Sequence, residues 1–146
     1  MAGKFKLQSV LNYRQSLEDQ AQQLLAASLQ QHNELETQLQ QQLQNLQKHD
    51  DELTQRQQEG LTVVEIDLYE SQIQHCRRLI VDIQGHLQQL DRQILSEREE
   101  LLHAARERQV MEKLKDKQEA EYRQELSRKE RVMLDEISLR NRGNNS

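Results

Sequence analysis

The chain has 146 residues, of which 34% are apolar and 3% aromatic, with no proline, four glycines and a net charge of −5. That is too little apolar surface to close a globular core of this length. The lack of proline and the scarcity of glycine also speak against a disordered chain. Gln, Leu, Glu, Arg and Lys dominate, all good helix formers, which leaves extended helix. The acidic excess lies in residues 1–96, with 13 acids against 8 bases, whereas residues 97–146 hold 12 of each. Such interleaved charge makes a solvated helix face laced with i,i+4 pairs. It is not the clustered basic patch that nucleic acid requires.

The first helix is expected over residues 4–58. Its seam follows a 3–4 alternation: Leu25, Ser28, His32, Leu35, Leu39, Gln42, Leu46, His49 and Leu53. Upstream the stripe continues loosely through Leu7, Val10, Leu17 and Ala21. A face this polar can pack on one partner helix and cannot stand alone. His32 and His49 fall on it as core histidines, expected to pair with Gln or Ser across the seam.

Residues 59–62 read as a turn. Gly60 suits the position just past a helix end. Thr62 and Glu65 form a capping box, and Leu61 with Ile66 forms a hydrophobic staple. So short a turn makes its two helices antiparallel neighbours.

The second helix is expected over residues 63–140, with a frayed tail at 141–146. Ile66, Tyr69, Ile73, Cys76, Ile80, Ile83, Leu87, Leu90 and Ile94 fill nine successive a and d positions, a strong coiled-coil pattern. The repeat loosens through Leu101, Ala104 and Met111, then thins to Leu114, Tyr122, Leu126, Met133 and Ile137. At 1.5 Å per residue the helices measure about 80 and about 117 Å. Folding back at the turn brings residue 7 near residue 115 and leaves 116–140 as an overhang. The predicted fold is therefore all-α, one extended domain: a long two-helix antiparallel coiled-coil hairpin with a C-terminal helix overhang.

Catalytic chemistry has no foothold here. There is no phosphate loop, nucleophile elbow or Cys–base pair. Glu100-Leu-Leu-His103 matches one Glu-x-x-His element, where a di-iron bundle needs two such elements and two further Glu. Cys76, the only cysteine, reads as a small core hydrophobe and permits no internal disulfide, which suits the cytosol. No cofactor or metal is expected, no signal peptide is read at the start, and no segment reaches the length of a membrane span.

Binding surfaces remain. Val64 and Leu68 occupy outward positions beside Tyr69, and two accounts fit them, a partner site or isolated exposed aliphatics. The overhang 121–140 carries a sparse apolar stripe and abundant Arg, which fits a helix docking into a socket or a solvated single helix.

The opening FKLQSVLNYR (5–14), the mid-chain GLTVVEIDLYE (60–70) and the close EYRQELSRKERVMLDEISLRNR (121–142) resemble the flagellar export protein FliJ family, with the same length and helix-turn-helix plan. The resemblance implies a cytoplasmic, non-enzymatic part of the flagellar type III export apparatus, peripheral to the inner membrane and not inserted in it. It implies a stalk within the export ATPase ring, with further contacts to the export gate membrane protein and to substrate chaperones. Carried onto this sequence, the ring-facing residues are Phe5, Leu7, Arg14, Tyr122, Arg123, Arg128 and Arg131. The gate contact maps to Val64, Leu68 and Tyr69 at the hairpin tip. The first helix departs from this pattern in its Gln content, as do Asn45, His49 and Gln72, which stand where an apolar partner surface is expected. Two other classes stay open: a self-associating coiled-coil scaffold or tether, and a holdase-type chaperone that clamps clients at the tip.

Overall fold

A computed structural model describes residues 6–144 of the chain. It contains two α-helices, α1 (Gln8–Glu59, 52 residues) and α2 (Val63–Asn144, 82 residues), and no strand among the described residues. The fold is an all-α helical hairpin.

The bounds differ from those expected. Lys6 and Leu7 form a turn ahead of α1, and the Leu11 N–H donates to the Leu7 carbonyl at 3.0 Å. The helix start expected at Lys4 and the candidate site residue Phe5 lie outside the described residues. At the other terminus α2 runs to Asn144 rather than 140. Extending a helix already formed adds one hydrogen bond per residue fixed. Arg142 in the last turn also suits the negative end of the helix dipole.

The turn is built as its residues dictate. Gly60 has φ 94°, the left-handed region that costs a residue with a Cβ about 1–2 kcal/mol. The Glu65 N–H donates to the Thr62 hydroxyl at 3.2 Å and the Ile66 N–H to the Thr62 carbonyl at 3.1 Å, which opens α2. Only this half of the capping box forms; the return bond from the Glu65 carboxylate is not made. Leu61 and Ile66 are both half-buried, as staple positions require.

Contacts group the chain into two units, residues 21–100 and residues 1–20 with 101–146. In the first unit the helices are antiparallel: Arg56 lies 6.0 Å from the Tyr69 ring centroid, His32 meets Asp91, and Ser28 meets Glu97. All nine expected seam positions of α2 are buried or half-buried, and Ile73, Cys76, Ile80, Ile83, Leu90 and Ile94 fully so. Opposite them every expected α1 seam residue from Leu25 to Leu53 is at least half-buried.

Upstream, the expected seam holds in part. Leu17 and Ala21 are half-buried, whereas Leu7 and Val10 are exposed and Leu11, Arg14 and Glu18 turn inward in their stead. Strict 3–4 counting back from Ala21 gives this register. A rigid helix keeps its period even where that brings charged residues inward. On α2 the seam passes Leu101, Ala104, Arg108, Met111, Lys115 and Tyr122, all half-buried, whereas Leu114 is exposed. From Arg123 to Asn144 every residue is exposed.

The turn glycine Gly60 and the helical glycine Gly85 predict opposite effects in equilibrium unfolding. Gly60→Ala is expected to destabilise the hairpin by about 1 kcal/mol, since the penalty is conformational and no atom crowds the new methyl. Gly85→Ala, mid-helix with open space around it, is expected to stabilise by about 0.5–1 kcal/mol. Urea titrations of the two variants compare the signs directly.

Candidate interaction surfaces

The seam carries two polar clusters that bear on what the surface can do. Around residue 28 of α1, the Ser28 hydroxyl donates to Glu97 Oε1 at 3.0 Å, while Gln93 Nε2 donates to Glu97 Oε1 at 2.8 Å and to Ser28 at 3.3 Å. His32 bonds Asp91 at 2.9 Å and lies 3.6 Å from Glu36. The expectation that the core histidines pair with Gln or Ser is therefore corrected. His32 takes a carboxylate, Ser28 is claimed by Glu97 and Gln93, and His49 Nδ1 is buried with no partner. Hydrogen bonds to a carboxylate are stronger than those to a neutral acceptor.

The second cluster lies between residues 8–20 and α2. Arg108 donates through Nε to Glu18 and through Nη1 to Glu112 at 2.8 Å, with a longer Nη2 contact to Glu18 at 3.5 Å. The hydrogen bond to Glu18, then that to Glu112, raises the Arg108 guanidinium above its ordinary range. Nearby, Arg14 lies 3.9 Å from Glu107. Sequence reading had assigned Arg14 to a partner surface and missed Glu18 and Arg108 altogether; heptad counting from Ala21 and Ala104 was the signal that finds them.

Of the remaining sequence-selected residues on this unit, Leu7, Arg123, Arg128 and Arg131 are exposed and Tyr122 is half-buried. The exposed helix beyond Tyr122 carries six large aliphatics: Leu126, Val132, Met133, Leu134, Ile137 and Leu139, at 45–66% exposure. At 100° per residue Leu126, Met133 and Ile137 share one stripe, while Arg128 and Arg131 fall outside it. Val132 and Leu139 align on the far side. A lone helix apolar on two faces leaves much surface uncovered.

Around the turn, Val64 and Leu68 are 78% and 61% exposed, as their outward positions imply. Val63 at 75% joins them and was not singled out from sequence. Tyr69 differs from its two neighbours: it is a half-buried seam residue with Arg56 against its ring, so only part of it is available.

Cys76 is free and buried. Among the described residues no group of three or more His, Cys, Asp or Glu side chains comes together as a metal site. Also among them, no helix is long and apolar enough to cross a membrane.

A two-helix hairpin with its turn near residue 60 and charged, apolar-striped helix beyond its paired part is the plan the sequence resemblance implied. The flagellar FliJ protein family matches the chain over residues 3–146. The chain belongs to the FliJ family. No individual curated protein and no solved structure matches it. FliJ membership makes it a component of the flagellar export apparatus, from a family of non-catalytic export components.

If the aliphatics beyond Tyr122 serve this FliJ chain as contact residues, truncating them leaves its stability alone. Met133→Ala and Ile137→Ala are each expected to change unfolding free energy by less than about 0.5 kcal/mol. Ile80→Ala, in the buried seam, should cost about 2–5 kcal/mol. Chemical denaturation followed by circular dichroism separates the two cases.

Proposed function

We propose that this FliJ family chain is a non-enzymatic stalk or adaptor of flagellar protein export. It works in the cytoplasm at the inner-membrane export apparatus. One surface, formed by Leu7, Arg14, Tyr122, Arg123, Arg128 and Arg131 and extended by Phe5, takes the export ATPase ring. A second, around Val64, Leu68 and the accessible part of Tyr69, takes the export gate or the substrate chaperones. Val63 adds apolar area to this second surface.

The observation that carries the reading is the helix beyond Tyr122. Six large aliphatics there lie exposed on a helix that the chain does not cover, in a family that works inside a protein assembly. Arginines beside an apolar stripe suit a partner groove with acidic edges, in the helix-in-groove mode. Arg14 contributes less than its exposed counterparts, because part of its charge is engaged by Glu107. The intrachain pairing of α1 and α2 also uses the seam that a parallel two-chain rod would need, which favours an adaptor over a self-associating scaffold.

Copurification with the flagellar export ATPase tests the reading. Deleting residues 121–146 is expected to abolish capture and any stimulation of ATP hydrolysis, and full retention of both overturns the first surface. Val64→Ser with Leu68→Ser should leave ATPase capture intact and weaken binding of the gate's cytoplasmic part by about tenfold or more. Unchanged gate binding removes the second surface from the proposal.

A further inference from the structure

The paired part of residues 6–20 and 101–122 is held differently from the paired part of residues 21–100. In the latter, six α2 seam side chains are buried and apolar or thiol. In the former, Leu11 alone is buried, and the seam around it includes Arg14, Glu18, Arg108 and Lys115. Leu11 is 3% exposed and Leu17, Leu101 and Met111 are half-buried, so the apolar contribution to pairing there rests on one fully buried side chain against six. Beside the burial of Leu11, residues 8–20 are joined to α2 by the Glu18–Arg108 hydrogen bonding, with Arg14–Glu107 next to it.

Glu18 and Arg108 keep 14% and 24% of their side-chain surface in water. Arg108 also has a second carboxylate, Glu112, one turn along its own helix. When Glu18 leaves, the guanidinium is not stranded without a counter-charge, which is the usual penalty for breaking a partly buried ion pair. The charge pairing of α2 is thus complete without the N-terminal arm.

We infer that residues 8–20 form a detachable strap, clasped by Glu18 on Arg108, that opens locally while the helix pairing within residues 21–100 stays closed. Lifting the strap bares Met111 and Lys115 beside the Arg108 guanidinium. The chemistry of that face selects a helix with aliphatic side chains and one carboxylate in the place of Glu18. This inference does not rest on the export reading, since it concerns the free chain.

Native-state hydrogen exchange on the full-length chain tests it. Amides of residues 12–20 are expected to exchange at least about a hundredfold faster than those of 73–94. Raising the salt concentration should accelerate the first group only, since screening weakens the clasp. Glu18→Gln is expected to speed exchange at 12–20 several-fold and leave 73–94 unchanged. The double variant Glu18→Leu with Arg108→Leu replaces the clasp by an apolar pair and should slow exchange at 12–20. Equal protection of the two segments, or a Glu18→Gln effect of the same factor on both, overturns the strap. No change at 12–20 in Glu18→Gln overturns the clasp.

Discussion

The isoleucine-rich seam of α2 between Ile73 and Ile94, pressed on α1, is the interaction on which the rest depends. Helices this polar are marginal by themselves in water, since most helical stability in proteins comes from packing one face. Each aliphatic side chain buried in that seam contributes about 1.5–3 kcal/mol. Residues 25–53 of α1 supply a leaner partner face, five leucines interrupted by Ser28, His32, Gln42 and His49. The strength is therefore asymmetric: α2 carries the apolar content, and α1 is held as a helix by lying against it. Gly60 and Thr62 set where the chain reverses, but without the seam nothing would keep the reversed strands of helix together.

Polar seam positions give the pairing its register at some cost in strength. Ser28, Gln93 and Glu97 form a hydrogen-bonded cluster with bonds of 2.8–3.3 Å, which a slip of one heptad would break. In coiled coils such buried polar layers are the best-attested device for fixing alignment. The cost is visible in His49 Nδ1 and Glu97 Oε2, both buried and without a hydrogen-bond partner. In residues 6–20 and 101–122 polarity goes further, and Arg108 takes the place that an isoleucine holds elsewhere. Weak apolar pairing there and full exposure beyond Tyr122 leave a good deal of surface for other proteins. That is a fitting property for a member of an export assembly.

Much of this was legible in the residue pattern. The nine α2 seam positions and the nine on α1 were found by spacing alone, because a helix repeats its faces every seven residues whatever it packs against. The turn was legible because glycine and a Thr-x-x-Glu cap have few other uses. The errors came where composition was followed in place of spacing. Leu7 and Val10 looked like seam residues because they are apolar, yet the period places Leu11, Arg14 and Glu18 inward. Val63 was passed over because the first residue of a helix has no periodic context to mark it.

The sequence by itself determined that the chain is helical, that it reverses near residue 60, and which stripe of each helix faces inward. These follow from local propensity, capping chemistry and helical period, all of which act over a few residues. Only the tertiary structure decided the partners: His32 with Asp91, Ser28 with Glu97, Glu18 with Arg108. Each joins residues 59–90 positions apart, at a distance set by the alignment of the two helices, and several side chains in either helix were long enough to compete for the same place.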